Sequence, residues 1–224
     1  MSFVETFLNW DVILRVYPML MKGVANTVAL ALTVIVLGGI AGVGICLVRL
    51  YAPRVFRWLA IAYVDLFRAI PILVLLVLIY YALPFMGIRF NSFTSAAIAL
   101  GLVFSSFTAE VFRAGVQAIP DGQTEAAESL GLPFRVTIWK VILPQALRIA
   151  IPPQTSNSVA IAKDTSLASV VAMPDLLKQA TDAQALTANP SPLIAAALMY
   201  LIVLLPAVRL VSILENRYRR EFRH

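Results

Sequence analysis

Two adjacent residues of opposite charge, Lys163 and Asp164, stand in a stretch that is otherwise largely apolar. Hydroxyl side chains follow at Thr165, Ser166 and Ser169. A charge inside a bilayer costs on the order of a few kcal/mol unless it faces protein or water, so such residues mark a functional site by default. An ammonium, a carboxylate and hydroxyls on one wall would suit a ligand that carries both charges.

Asn157 extends this polar pattern toward the N-terminus. It precedes Asp164 by seven residues, which is two turns of α-helix, so the pattern predicts that both share a face. Thr165 and Ser169 are also spaced as i, i+4 neighbours. We call Asn157, Lys163, Asp164, Thr165, Ser166 and Ser169 the polar segment. A buried Lys–Asp structural network at a subunit interface explains the same residues, and both interpretations stay open.

Other kinds of site chemistry find no support in the residue inventory. The sequence contains no G-x-x-x-x-G-K-[ST] run to cradle nucleotide phosphates. One cysteine, Cys46, and one histidine, His224, make neither a disulfide nor a zinc site. No nucleophile–base arrangement is apparent. We therefore predict no catalytic residue, no metal and no cofactor on this chain.

The composition is that of a membrane protein. Of the 224 residues, 60% are hydrophobic and 13% are charged, whereas soluble domains average about a quarter charged. The mean hydropathy is +0.85. The length suits a single domain over residues 1–224. The net charge is +6. Because the basic residues lie between apolar runs, this charge indicates membrane orientation rather than nucleic-acid binding.

Apolar runs long enough to span a bilayer predict an all-α, polytopic fold with five transmembrane helices. The predicted spans are residues 23–48, 58–85, 93–118, 149–173 and 192–214. Residues 1–22 are expected to form an interfacial segment broken at Pro18, and residues 215–224 a basic tail. Pro71 is expected to bend the second helix.

Small residues and charge pairs within these helices carry further expectations. Gly38 and Gly42 form a G-x-x-x-G pair, which permits close helix packing or simply reflects the glycine content of membrane helices. Two acid–base pairs are spaced i, i+3, and they are Asp65 with Arg68 and Glu110 with Arg113. These pairs either hold helix ends together or take part in gating or coupling.

The distribution of Lys and Arg predicts the orientation. With five spans, most basic residues fall on one side of the membrane, and only Arg15, Lys22, Arg89 and Lys178 fall on the other. The basic side is expected to be cytoplasmic. This places the N-terminus outside and the C-terminus inside, and it puts residues 121–147 in the cytoplasm.

Residues 121–147, which we call the coupling segment, have the pattern of a helix, a stop and a second helix. Asp121 is suited to cap the first helix and Gly131 to end it, and Pro133 is suited to open the next. Ala126 and Ala127 would make a small face that another protein can approach closely.

The same residues carry a family resemblance. Glu125-Ala126-Ala127, then Gly131, then the ILP run at residues 142–144, resembles the EAA loop of transmembrane subunits of bacterial ABC importers. Four further motifs are similar to the polar amino acid permeases, of the histidine, glutamine, glutamate, arginine or opine type: FRAIP at 67–71, AEVFRAG at 109–115, IPDGQ at 119–123 and KDTSL at 163–167. The matches run in order from about Gly23 to the C-terminus.

The resemblance implies a type I ABC importer permease fold in the bacterial inner membrane, transporting a polar amino acid by alternating access. The residues implied in coupling to an ATPase are Glu125, Ala126, Ala127, Glu128 and Gly131. The implied partners are an ABC ATPase dimer that holds ATP-Mg, a second permease subunit, a periplasmic or lipid-anchored amino-acid-binding protein and membrane lipid. The polar segment becomes the candidate substrate path.

Three alternatives stay open on the sequence. The coupling segment also fits an ordinary cytoplasmic helical hairpin. The charged residues and proline-broken helix also fit a secondary transporter driven by an ion gradient. The chain also fits a permease partner that does not itself bind substrate in a mixed dimer. The sequence specifies neither the amino acid nor whether the second permease is identical or paralogous.

Overall fold

The structure is a computed structural model that describes residues 6–221, with side chains described through Ile213 except for Ser212. All regular elements within these residues are helical. The predicted all-α fold is therefore confirmed.

The first helical run contains α1 (Trp10–Thr33), a π-helical turn (Val34–Gly38) and α2 (Gly39–Tyr51). Asn9 caps α1, and its side-chain oxygen accepts a hydrogen bond from the Val12 backbone N–H at 3.2 Å. The prediction that Pro18 breaks an interfacial segment is wrong, because Pro18 lies inside α1. Apolar residues continue on both sides of it, and membrane helices tolerate an interior proline. Residues 1–5 of the predicted interfacial segment lie outside the described residues.

The second helical run is broken at Pro71, and the chain bends there as predicted. Helix α3 (Arg54–Ala69) ends before Pro71, whose backbone is extended at φ −62° and ψ 132°. The chain resumes as α4 (Ile72–Val77), a π-helical turn (Leu78–Ala82) and a 3₁₀ turn (Leu83–Met86). A proline ring disfavours helical geometry in the residue before it, so α3 ends before Pro71 and the chain changes direction there.

The rest of the described chain follows in order. It comprises α5 (Ser92–Gln117), α6 (Gly122–Ser129), α7 (Phe134–Thr137), a π-helical turn (Ile138–Ile142), α8 (Leu143–Asp164), a 3₁₀ helix (Thr165–Val171), α9 (Leu176–Thr187) and α10 (Ser191–Glu221). The third predicted span matches α5. The fifth lies within α10, which runs on into the predicted basic tail; residues 222–224 lie outside the described part of the chain.

Three helices among the described residues are long and apolar enough to cross a membrane: Trp10–Tyr51, Ser92–Gln117 and Ser191–Val211. The interrupted pair Arg54–Ala69 and Ile72–Met86 makes a fourth if its parts count as one span. The predicted span at residues 149–173 is not among them, and that region carries Pro152, Pro153 and Lys163-Asp164. The predicted number of five spans is therefore not confirmed.

The described chain divides into two compact units. Unit A contains the residues up to Leu37, Ile70–Leu102 and Val159–Val208. Unit B contains Gly38–Ala69, Val103–Ser158 and the residues from Arg209 onward. The prediction of a single domain remains a prediction.

In unit A, α1 packs against the start of α9 and against α10. The buried core of this contact consists of Val16, Leu20, Leu176, Ala180, Ala183, Ala195 and Ala196. Gly23 allows the approach, because a Cβ there would lie 2.8 Å from the Leu176 Cα. Polar groups reinforce it: Asn26 Nδ2 donates to the Pro174 carbonyl at 2.8 Å, and the Leu176 N–H donates to Thr27 Oγ1 at 3.0 Å.

In unit B, α2 lies directly on α5. A Cβ at Gly42 would lie 2.5 Å from the Thr108 Cβ and 2.6 Å from the Ser105 carbonyl oxygen. The close packing expected of the glycine pair is thus present at Gly42, within the chain. Helix α3 joins the same core through Val64, which packs with Cys46 and Ala109, and the Tyr63 hydroxyl lies 2.7 Å from Ser105 Oγ.

Candidate functional site

The coupling segment forms the predicted helix, stop and second helix. Gly131 has the left-handed φ of +70°, which glycine adopts without strain. The Leu132 N–H donates to the Ala127 carbonyl at 3.1 Å and the Gly131 N–H to the Glu128 carbonyl at 2.8 Å. This is a Schellman motif, so α6 ends sharply and the chain can turn toward Pro133 and α7.

The predicted coupling residues divide by exposure. Glu125, Ala126 and Glu128 are exposed, and Leu130 beside them is 80% exposed. Ala127 is buried, so the expectation of a face made by both alanines is wrong. Helix α6 packs against residues 138–142 of its own chain, and a small side chain suits the inner side of that contact. Of the two alanines, only Ala126 is exposed for a close approach from outside.

The base of the coupling segment is anchored in unit B. Ile119, Ile142 and Ala146 form a buried cluster beneath it, and Gln145 Nε2 donates to Gln123 Oε1 at 3.2 Å. The predicted side-chain cap from Asp121 is not made. The backbone takes that role, because the Asp121 carbonyl accepts from the N–H groups of Thr124 and Glu125 at 2.9 and 3.1 Å.

Within the polar segment, the residues after Asp164 lie on a 3₁₀ helix. Thr165, Ala168 and Val171, spaced by three, are all buried. Because a 3₁₀ helix has three residues per turn, Thr165 and Ser169 do not share the face expected from an α-helix. Their hydroxyls donate to the carbonyls of Ala162 and Ser166 at 2.7 and 2.8 Å. Ser166 likewise donates to Lys163 at 2.8 Å.

The two charged residues of the polar segment differ in exposure. Lys163 is exposed and Asp164 is half-buried, and no ion pair joins them among the described residues. Both belong to unit A, whereas Asn157, half-buried on α8, belongs to unit B. Neither residue takes part in an ion pair with any other group in the described part of the chain.

Glu110 is the centre of an ion cluster in unit B, which we call the arginine cluster. Its carboxylate contacts Arg49 of α2 at 2.6 Å, Arg68 of α3 at 3.9 Å, and Arg113 one turn along α5. The predicted Glu110–Arg113 pair is therefore confirmed. One carboxylate thus joins guanidinium groups from three helices.

The predicted pair between Asp65 and Arg68 is wrong: none of the ion pairs in the described part of the chain includes Asp65. Arg68 instead faces Glu110, and its guanidinium lies 5.5 Å from the centre of the Phe107 ring. The spacing i, i+3 only permits a contact. The Glu110 carboxylate and the Phe107 ring, both on α5, attract the Arg68 guanidinium in place of Asp65.

Two polar positions were missed by the sequence reasoning. Gln154 on α8 donates from Nε2 to Thr108 Oγ1 at 2.9 Å, and its Oε1 is buried with no hydrogen-bond partner. Asp175 is fully buried, and its Oδ1 caps α9 by accepting from the Lys178 N–H at 2.9 Å. The sequence does contain a signal for Asp175, because an aspartate directly before an apolar helical run is a typical N-cap residue.

Asp175 titrates unusually for a carboxylic acid. Burial raises the pKa of its carboxyl to about 6, against the lowering effect of hydrogen bonds from the Lys178 and Leu177 backbone and from Tyr200. The Tyr200 hydroxyl donates to Oδ2 at 3.5 Å. The group is therefore largely charged at neutral pH, at a cost that its hydrogen bonds offset only in part.

Comparison with known proteins places this architecture in a family. Residues 34–220 match the model of the family described as "Binding-protein-dependent transport system inner membrane component". The match contains the arginine cluster, the coupling segment and the polar segment.

Individual relatives agree with the family model. The chain is 34% identical over 218 residues to the probable glutamine ABC transporter permease protein GlnM of Bacillus subtilis (strain 168), covering 96% of this chain and 100% of the relative. It is 34% identical over 176 residues to the probable amino-acid ABC transporter permease protein YckA of the same organism, covering 79% and 78%.

A solved structure supports the same assignment. A crystal structure of an amino acid ABC transporter with histidines contains a chain that is 31% identical, with a TM-score of 0.88 and coverage of 97% of this chain and 100% of that one. The chain described here is a multi-pass inner-membrane protein of the type I ABC importer permease fold, and it belongs to the family of inner-membrane components of binding-protein-dependent transport systems.

Proposed function

We propose that this chain is a permease subunit of an ATP-driven importer for a polar amino acid. The observation that carries the proposal is the coupling segment: a short helix with exposed Glu125, Ala126 and Glu128, ended by a Schellman motif at Gly131 and anchored on its own chain at Ala127. The names of the relatives, which are amino-acid and glutamine permeases, support the substrate class.

In this proposal, a cytoplasmic ABC ATPase dimer holds α6 in a groove. The ATPase supplies ATP-Mg and the hydrolysis, and this chain contributes no catalytic residue. Glu125 and Glu128 contact basic or backbone groups of the ATPase, and Ala126 lets the two surfaces approach. Because α6 packs on residues 138–142 of its own chain, a movement of α6 is passed to the helices that follow.

The translocation path lies between this chain and a second permease subunit, identical or paralogous. A periplasmic or lipid-anchored binding protein delivers the amino acid to an outward-facing cavity. Lys163 and Asp164 supply opposite charges for its carboxylate and ammonium groups, with Asn157, Thr165, Ser166 and Ser169 as further polar candidates. Binding only shifts populations between conformations, so the uphill work comes from ATP.

The orientation belongs to the same proposal. The N-terminus lies outside and the C-terminus inside, since this arrangement puts most Lys and Arg residues on the cytoplasmic side. The coupling segment then meets the ATPase in the compartment that contains ATP.

Affinity purification of the complex from its native membrane tests the proposal. We expect a P-loop ATPase to copurify with the wild-type chain and to be lost with Glu125→Lys plus Glu128→Lys, whose exposed side chains allow the fold to persist. Asp11→Lys, a matched charge reversal at an exposed site on α1, should retain the ATPase. An intact membrane complex that contains no ATPase would contradict the proposal.

Uptake in proteoliposomes separates the importer from a gradient-driven transporter. We expect accumulation of the amino acid to require ATP on the ATPase side and to persist when proton and sodium gradients are abolished. Asp164→Ala tests the substrate path separately. If it leaves uptake intact, this chain acts as a permease partner that does not bind substrate.

A further inference from the structure

A groove of about 330 Å³ opens on unit B. Its walls come from the last two turns of α2, the end of α5, and the chain from α7 into α8. The lining residues are apolar except for Arg135 and Tyr51. This volume lies within the range of small-molecule sites, about 300–1,000 Å³.

Aromatic residues line one end of the groove. Tyr51, the last residue of α2, packs edge-to-face on Phe134 with ring centres 6.3 Å apart. Phe134 and Trp139 are 63% and 68% exposed. Tyrosine and tryptophan are enriched where membrane helices meet the headgroup region. Tyr51 follows the predicted span 23–48 by three residues, so we expect this end of the groove to lie near the headgroup region.

Positive charge is placed at the same end. Arg135 lines the groove, and Arg57 Nη2 donates to the carbonyl of Leu50, another lining residue, at 3.5 Å. No carboxylate lines the groove. Arg49, also near the end of α2, is already paired with Glu110. An occupant with an apolar body and an anionic head matches these walls.

We propose that the groove binds one acyl chain of an anionic phospholipid of the bilayer, with the lipid phosphate held by Arg135 and Arg57. A helix of a partner protein fits less well, because it would need an apolar face with an acidic residue at one end. The site is independent of the transported solute. Phe134 and Arg135 open α7 just after the Gly131 turn, so the lipid would contact the membrane end of the coupling segment.

Tryptophan fluorescence in nanodiscs tests the site directly. The chain has three tryptophans, so Trp10→Phe with Trp58→Phe leaves Trp139 as the reporter. In phosphatidylcholine discs, we expect brominated phosphatidylglycerol to quench Trp139 fluorescence at lower mole fractions than brominated phosphatidylcholine does. The mole fraction that gives half-maximal quenching should be at least three-fold lower for brominated phosphatidylglycerol. Arg135→Gln should abolish that preference.

A matched reporter controls for general lipid contact. Trp10 belongs to unit A, is 67% exposed and does not line the groove. With Trp58→Phe and Trp139→Phe, we expect Trp10 to be quenched equally by both lipids and to be unaffected by Arg135→Gln. Native mass spectrometry should show one anionic lipid retained per wild-type chain and per Arg54→Gln chain, and loss of it from Arg135→Gln.

Other outcomes would overturn the proposal. Equal quenching of Trp139 by both lipids would mean that the groove is ordinary lipid-facing surface. Trp139 that neither lipid quenches would mean that a protein covers the groove, either a second permease subunit or the ATPase. Retention of the anionic lipid by Arg135→Gln would remove the headgroup contact on which the proposal depends.

Discussion

Gly42 sets how closely α2 approaches α5 in unit B. A Cβ there would lie within 2.8 Å of three atoms of Ser105 and Thr108, including the Ser105 backbone carbonyl. A backbone atom cannot rotate away, so an added methyl group must separate the two helices. Gly44, two residues further along the same helix, has nothing within 4 Å of the equivalent position.

These two glycines give a matched pair of variants. We expect Gly42→Ala to lower the free energy of unfolding by about 1–3 kcal/mol through overpacking. Gly44→Ala should be neutral or stabilising by up to about 1 kcal/mol, because alanine favours the helix. Thermal unfolding in detergent, followed by circular dichroism, measures both. Equal midpoints for the two variants would show that α2 and α5 are not in tight contact.

At the scale of elements, the arginine cluster joins α2, α3 and α5 through one carboxylate. Arg49, Arg113 and Glu110 have side chains only about a fifth exposed, at 18%, 22% and 22%. Removal of the Glu110 charge would leave neighbouring guanidinium groups close together and poorly hydrated. The cluster therefore depends on Glu110 more than on any single arginine.

We expect Glu110→Gln to destabilise the protein by about 1.5–3 kcal/mol, the range for loss of hydrogen bonds to charged groups. Asp65→Asn is the control, since Asp65 forms no ion pair among the described residues, and it should change stability by less than about 0.5 kcal/mol. Chemical denaturation of the two variants in the same detergent makes the comparison. An Asp65→Asn effect as large as that of Glu110→Gln would contradict the pairing described here.

Asp175, at the start of α9, gives the stability of the protein a dependence on pH. The pKa of Asp175 is raised to about 6 by burial, so the folded state binds this proton more tightly than the unfolded chain does. Its contribution to stability is complete below the unfolded pKa of about 3.9 and is lost as the pH rises through 6.

We therefore expect Asp175 to make the free energy of unfolding larger by roughly 1–1.5 kcal/mol at pH 5 than at pH 7. Asp175→Asn keeps an acceptor for the Lys178 N–H and removes the titration, so the difference between the two proteins should follow that curve. Unfolding midpoints measured at half-unit steps from pH 5 to pH 7.5 test this. A wild-type minus variant difference that is flat across the range would refute it.

At the scale of the whole molecule, orientation decides which surface faces the compartment of the proposed ATPase. Ser129 ends α6, and Leu186 near the end of α9 is 78% exposed. On a Cys46→Ser background, we expect an impermeant maleimide on intact cells to label Leu186→Cys and not Ser129→Cys. Both should be labelled after permeabilisation. The reverse pattern would place the coupling segment outside and remove the basis of the importer proposal.

Much of the architecture was predictable because it depends on local properties of the chain. The apolar run of α5, the stop at Gly131 and the Glu110–Arg113 spacing involve residues within a few positions of one another. Their outcomes follow from hydropathy, from the left-handed φ that glycine tolerates, and from the pitch of a helix. The motif order in the sequence was likewise sufficient to indicate the permease family.

Tertiary structure decided what depends on distant partners. Arg68 contacts Glu110 on another helix rather than Asp65. Ala127 is buried because α6 packs on residues 138–142. Burial of Asp175 required α1 and α10 to pack around the start of α9. The sequence by itself determined a helical membrane protein with a coupling segment, because those features are local; burial and ion pairing were settled by tertiary contacts, because they depend on which distant groups compete for the same space and charge.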